Sequence, residues 1–209
     1  LLSLQPDEYA MAYEAEDFLY TDGSALPEAG KSDGPGIGAA VCILPKDTLD
    51  DTLYDTETIH IPIDCKLPGS EENANTINRA ELAAIAVALE YTQTHEPPSK
   101  DQINIATDSL GCIRQIQRVI TRPQDLKTHR HYSLLQYIAC LIDQSRYPVH
   151  LWKVKSHIGI LGNELADRTA VSVAKGTCKQ ELTQFSQASN TRRDCYWPCQ
   201  EKKGEDKHT

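Results

Sequence analysis

The stretch Thr76–Ser109, TINRAELAAIAVALEYTQTHEPPSKDQINIATDS, changes its apolar period part-way. That change decides the fold class. Leu82, Ile85, Ala86 and Leu89 recur at i, i+3, i+4 and i+7, one face of a helix. Asn75 or Thr76 is placed to cap it, and Glu81 falls in its early turns. Ile103 and Ile105 then alternate toward Asp108, the pattern of a strand.

Working toward the N-terminus, Phe18–Asp22 reads as a short strand, Gly36–Leu44 as a second and Thr58–Ile63 as a third. Gly, Pro, Ser and charged residues fill 25–35, and an acidic loop starts at Pro45. Strands in succession joined by loops predict an antiparallel meander. Toward the C-terminus, Leu110, Ile113, Ile116 and Ile120 mark a second helix, stopped near Pro123. Leu134, Leu135, Ile138, Leu141 and Ile142 mark a third. Val149–Val154 is a strand, and a turn from Gly159 to Gly162 leads into a last helix from about Asn163 to Lys175. The order β-β-β-α-β-α-α-β-α predicts an α/β fold: five strands in a mixed sheet, three antiparallel and then parallel ones, with helices on both sides. Residues 1–17 are expected to be a loose acidic leader, 18–175 the folded domain, and 176–209 a polar, mostly disordered tail.

The 209 residues suit one domain with tails. The chain starts at Leu1, not Met, and is expected to be a segment of something longer. No apolar run reaches transmembrane length and nothing reads as a signal peptide. The seven cysteines are loosely spaced, which suits reduced thiols inside the cell, in cytoplasm or nucleus. Cys195 and Cys199, with Cys178 and His208, are too irregularly spaced for a compact zinc knuckle. The net charge is −9, but its distribution is uneven. Residues 1–109 hold 5 Lys/Arg against 21 Asp/Glu, whereas residues 110–175 hold 10 against 4. The second half can therefore meet phosphates while the acidic flanks stay in solvent. Composition leaves a plain solvation pattern equally open.

Four acids fall at element ends: Asp22, Glu81, Asp108 and Asp167. Each alone reads as a turn or capping residue. Together, with the central strands adjacent, they would crowd like charges and raise one another's pKa. A hard divalent cation resolves this, because magnesium prefers oxygen ligands and keeps waters that leave room for a substrate phosphate. Two such ions about 4 Å apart can clamp a phosphodiester.

The blocks around these acids resemble those of type 1 ribonucleases H. The similar segments are Tyr20-Thr21-Asp22-Gly23-Ser24 with Gly36-Ile37-Gly38-Ala39-Ala40, and Thr76-Ile77-Asn78-Arg79-Ala80-Glu81-Leu82. Ile105-Ala106-Thr107-Asp108-Ser109 and the run from His157 to Asp167 complete the set, in order, between Phe18 and Lys175. The resemblance implies an endonuclease that cuts the RNA strand of RNA–DNA hybrids, leaving 3′-hydroxyl and 5′-phosphate ends. It also implies two Mg2+ ions, replaceable by Mn2+, held by Asp22, Glu81, Asp108 and Asp167. His157 would assist proton transfer or product departure, which suits a group with a free pKa near neutrality. Ser24, Asn78 and Asn163 would contact substrate. Ile77 departs from the family, where many members carry Asn. Asn163 also reads as a helix cap, and Glu164 as a first-turn acid. Arg114, Arg118 and Arg122 make one helix face basic, a phosphate contact or a solvated face. Trp152 is assigned to core packing.

The partner implied is a hybrid duplex, with no membrane, for a monomeric chain that is linked to a reverse transcriptase if it comes from a retroelement. Two other readings stand beside this one. A non-catalytic hybrid-binding or scaffold module would share the fold, but all four acids are retained. A transposase or Holliday-junction nuclease would share strand-end aspartates, but not the His157–Asp167 block.

Overall fold

The structure, a computed structural model, describes residues 17–26, 36–44 and 76–177, together with the backbone course of 2–9 and 57–62. Six strands and four α-helices follow one another along the described chain: β1 (Leu2–Tyr9), β2 (Phe18–Ala25), β3 (Ile37–Ile43), β4 (Glu57–Pro62), α1 (Ile77–Thr94), β5 (Ile103–Thr107), α2 (Leu110–Thr121), α3 (Tyr132–Asp143), β6 (Val149–Lys153) and α4 (Leu161–Ala174). A short 3-10 turn, Pro123–Leu126, follows α2. All six strands form one sheet in the order β1-β6-β5-β2-β3-β4. β2, β3 and β4 pair antiparallel, and β2–β5, β5–β6 and β6–β1 pair parallel. The mixed sheet thus carries the five expected strands and one more.

The additional strand is a correction to the reading of residues 1–17 as a loose leader. Leu2–Tyr9 lies parallel to β6 at the sheet edge, with a register irregularity between Gln5 and Tyr9. Pro6 falls in that interval; an edge strand tolerates a residue that donates no ladder bond. The expected acidic loop after Pro45 and the polar tail, with its cysteines, lie outside the described residues, apart from Gly176 and Thr177.

The sheet separates two apolar layers. Leu19, Ala39, Val41, Ile103, Ile105, Val149 and Leu151 meet the buried sides of α1, α2 and α3. Tyr20, Cys42 and Ala106, the alternate positions, meet Ile160 and Ala166 at the start of α4. This two-residue alternation is the strand period itself. α1 is buried almost all round, from Arg79 to Leu89, wider than the one apolar stripe read from sequence. Its alanines at 80, 83, 84, 86 and 88 let strands and neighbouring helices approach on several sides. Thr76 caps the helix by accepting from the Arg79 N–H at 3.2 Å, one of the two expected caps.

At α4 the structure differs from expectation by two residues. The helix begins at Leu161 with Ile160 in the cap position, so Asn163 is inside the first turn and is not the cap. The three described cysteines, Cys42, Cys112 and Cys140, are free and buried. Burial pushes the Cys42 and Cys112 thiols up to about 12, so both stay protonated and inert. No helix among the described residues is long and apolar enough to cross a membrane.

Candidate active site

Two strands set the centre of the site. β2 and β5 run parallel with Thr21 opposite Thr107, so the next residue on each, Asp22 and Asp108, leaves the sheet at the same edge. The Thr21 hydroxyl donates to the Ala106 carbonyl at 3.1 Å and locks this register. After β5 the Ser109 N–H donates to the Thr107 hydroxyl at 3.1 Å, turning the chain toward α2.

Helix α1 reaches the same edge because residue 23 is glycine. A Cβ built there would stand 2.2 Å from the Glu81 backbone nitrogen and 2.3 Å from the Ala80 carbonyl carbon. No other side chain permits that approach, which brings Glu81 beside Asp22. α4 arrives by a similar device from the opposite face: Gly162 packs on the Tyr20 ring, where a Cβ would lie 2.1 Å from the ring edge.

Carboxylate oxygens of Asp22, Glu81 and Asp108 lie within 4.8 Å of one another. Asp167 stands at the margin of this triad, close enough to add its charge to both Asp22 and Glu81. Asp22 is 5 % exposed and Glu81 7 %, values that decide their electrostatics. Burial first, then the Asp108 charge, raises Asp22 far above the usual carboxylate range, although its Oδ1 accepts from the Gly23 N–H at 2.8 Å. Burial and then the Asp22 charge raise Glu81 likewise. Oε2 of Glu81 is buried with no hydrogen-bond partner among the described residues. An orphaned acceptor in a ring of carboxylates costs stability unless something positive answers it. An all-oxygen donor set of this kind fits Mg2+ or Mn2+.

Sequence reasoning missed one cation beside the site, Lys153. The last residue of β6, it sits opposite Thr107 of β5, one step before Asp108. Asp108 and Glu81 both stabilise its charge, while burial lowers its pKa overall. Its Nζ donates to the Val154 carbonyl. Nothing local to Lys153 in the sequence announces Asp108; only the parallel β5–β6 register does.

The remaining expected residues lie on β2, α1, α4 and the loop before α4. Ser24 is buried two residues beyond Asp22. Asn78, half-buried near the start of α1, donates from Nδ2 to Gln115 Oε1 at 3.1 Å, and its Oδ1 accepts from the Cys112 thiol at 3.5 Å. Ile77 is exposed at the first position of α1. Asn163 is 2 % exposed, and its Oδ1 has no partner among the described residues. Glu164 accepts from the Gly159 N–H at 3.4 Å, tying the loop to the first turn of α4. His157 is exposed on that loop with φ of 53°, a left-handed conformation uncommon outside glycine. Trp152 is half-buried and donates from Nε1 to Asn104 Oδ1 at 3.1 Å, so its packing carries a polar tether.

The comparisons with known proteins agree with this frame. The ribonuclease H family model matches residues 14–175, and the chain belongs to that family. No curated protein sequence matches it. Among solved structures it is similar to the foamy viral protease-reverse transcriptase in complex with dsDNA, at 19 % identity over 78 % of this chain and 97 % of that one, with a TM-score of 0.52. It is also similar to LC9-RNase H1, described as a type 1 RNase H with the type 2 active-site motif, at 21 % identity over 77 % and 72 % of the two chains, TM-score 0.47. RNase H1 from the halophilic archaeon Halobacterium salinarum NRC-1 matches at 17 % over 76 % and 97 %, TM-score 0.47.

Proposed function

We propose that the chain is a divalent-metal-dependent endonuclease that hydrolyses the RNA strand of RNA–DNA hybrids, leaving 3′-hydroxyl and 5′-phosphate ends. The observation that carries this reading is the buried triad Asp22, Glu81 and Asp108 with Asp167 at its margin, inside a chain of the ribonuclease H family. Asp22, Glu81, Asp108 and Asp167 would hold two Mg2+ ions, with Mn2+ able to replace them. The ions, when bound, would supply charge neutralisation at the phosphate and a more acidic water.

The chain's own groups do the rest. The carboxylates fix the geometry of the reacting edge, because Thr21 and Gly23 hold their elements rigidly. His157, exposed on the loop before α4, would carry a proton to or from the departing end. Ser24, Asn78 and Asn163 serve substrate contact. Asn78 suits the hybrid's minor groove, where the 2′-hydroxyl marks RNA; to reach it, the amide trades its bond to Gln115. Exposed Ile77 offers that groove apolar contact only. A retroelement origin, with linkage to a reverse transcriptase, an intracellular setting and a monomeric state, is the biological frame this reading favours.

The test is cleavage of a labelled hybrid in magnesium beside duplex DNA and duplex RNA. RNA in the hybrid alone should be cut, a chelator should stop it, and Asp108→Asn should reduce the rate by about a thousandfold or more while the thermal melt stays cooperative. A wild-type rate for Asp108→Asn would sink the assignment.

A further inference from the structure

Helix α2 turns one face to the start of α1, and there two of its side chains close on Asn78. Cys112 and Gln115 are three residues apart, so they share that face. Gln115 Oε1 accepts from Asn78 Nδ2 at 3.1 Å, while the Cys112 thiol donates to Asn78 Oδ1 at 3.5 Å. The two bonds fix which end of the amide is which. Sulfur is a weak acceptor and burial keeps this thiol protonated, so the amide oxygen faces Cys112 and the nitrogen faces Gln115. The thiol's other acceptor, the Asn78 carbonyl, is farther, at 3.8 Å. Cys112 is fully buried, whereas Gln115 and Asn78 are half-buried. One partner is therefore fixed in the core. The other borders a groove open to solvent, which leaves it room to turn away. Asn78 and Glu81 are also three apart, on one face of α1. The amide thus stands on the same side as the carboxylate edge, where a bound strand must pass.

We propose that Cys112 and Gln115 are positioning residues for substrate choice: Cys112 anchors the Asn78 oxygen, and Gln115 Oε1 is a placeholder for the 2′-hydroxyl oxygen of the RNA strand. The inference rests on the nuclease reading and deepens it. The placeholder is an acceptor, so what displaces it must accept too. A 2′-hydroxyl offers such an oxygen in the minor groove, and deoxyribose has none. Base acceptors in that groove are common to both duplexes, so they do not discriminate between them. Exchange costs little when one acceptor replaces another, because the Asn78 N–H is not left unpaired. Against a DNA strand, Asn78 either stays with Gln115 and gains nothing, or leaves it without replacement. Gln115 therefore draws on the hybrid's affinity, since the strand must outcompete it. Cys112 acts in the opposite sense. With Oδ1 held, the amide meets the hydroxyl nitrogen-first and loses little rotamer freedom on binding. Without that anchor it would be free to turn its oxygen outward. The two substitutions therefore differ in sign, which separates guidance of Asn78 from plain packing.

Binding to the Asp108→Asn protein, used to prevent cutting, tests this with a fluorescent RNA–DNA hybrid and a duplex DNA of the same sequence. Cys112→Val, which keeps the volume and removes the donor, should weaken hybrid binding by about threefold to tenfold and change duplex DNA binding by less than about twofold. Cys112→Ser, which keeps a donor, should bind the hybrid more tightly than Cys112→Val does. Gln115→Ala should tighten hybrid binding by about twofold to tenfold, since the strand no longer displaces an internal partner. In an Asn78→Ala background both effects should shrink to within about twofold. Equal losses for hybrid and duplex DNA, or effects that persist without Asn78, would assign the two side chains to packing and overturn the proposal. Weaker hybrid binding by Gln115→Ala would overturn it too, by making Gln115 a fixed brace. Thermal melts check that each variant is folded, and Gln115→Ala, at a half-buried position, carries the test if Cys112→Val does not fold. Cleavage by the protein with Asp108 intact is scored apart: absence of cutting sinks the nuclease reading, while the binding ratios judge the two positioning residues.

Discussion

At the joint of β2 and α1, a Cβ on Gly23 would collide with the Glu81 backbone, whereas above Gly111 on α2 nothing stands within 4 Å. One region is buried, crowded with acids and held by backbone contact. The other is exposed, basic and free of steric constraint. Both gather like charges, yet they do so under opposite constraints. Acids forced together need rigid walls, because water and side-chain movement would relieve their repulsion. Arginines on an open helix face keep their reach and conformational freedom.

The comparison breaks most visibly at Gly23. Gly23→Ala should destabilise the protein by about 3 kcal/mol, since the new methyl meets backbone that cannot yield. Urea unfolding measures it. A loss under about 1 kcal/mol would mean that α1 is not seated on β2 as described.

Next in size is the effect of pH on the metal-free protein. Asp22 and Glu81 have folded pKa values raised above their unfolded ones. Their contribution is therefore fully present below about pH 4 and is lost as pH rises toward the raised values, by at most about 1.4 kcal/mol per pH unit for each group. Melting temperature in chelator should fall between pH 5 and pH 8, less so in Asp22→Asn, and magnesium should restore most of it at pH 8. A metal-free melting temperature that is flat over this range in both proteins would contradict the shifts.

His157→Ala is expected to slow single-turnover cleavage by about tenfold to a hundredfold without abolishing it. A dead enzyme would give His157 a heavier role than an exposed loop position suggests. Lys153→Met should lower the magnesium midpoint in a thermal-shift titration about twofold, by removing a cation from beside Glu81 and Asp108. A raised midpoint would mean that Lys153 supports the site instead. The smallest effect belongs to the open face: Gly111→Ala should stabilise by about 0.8 kcal/mol through helix propensity, in direct contrast to Gly23→Ala.

Much of this was legible in the sequence wherever the signal was local. The alternation of Ile103 and Ile105, the helical spacing of Leu82 to Leu89 and the capping Thr76 each specify their own element. The four carboxylates stood out because each closes or opens such an element, and the structure brings three into one triad with Asp167 beside it. What stayed hidden depends on register between distant segments. Lys153 became a neighbour of Asp108 only through the β5–β6 pairing. Leu2–Tyr9 reads as polar and contains a proline, and only its partner β6 makes it a strand. Helix α4 starts without a side-chain cap, so the sequence pointed to Asn163, the first good capping residue, instead of Leu161. That error had a cost, because Asn163 Oδ1 is a buried acceptor with no partner among the described residues and not an exposed cap.

The seating of Gly162 on the Tyr20 ring works as a gauge block. The thickness of one aromatic ring sets how far the start of α4 stands from β2, and Asp167, five residues further along, inherits that offset. The fourth carboxylate is thus set from the far side of the sheet by a fully buried ring. The arrangement of acids at this edge depends on the thickness of a spacer as well as on the acids themselves.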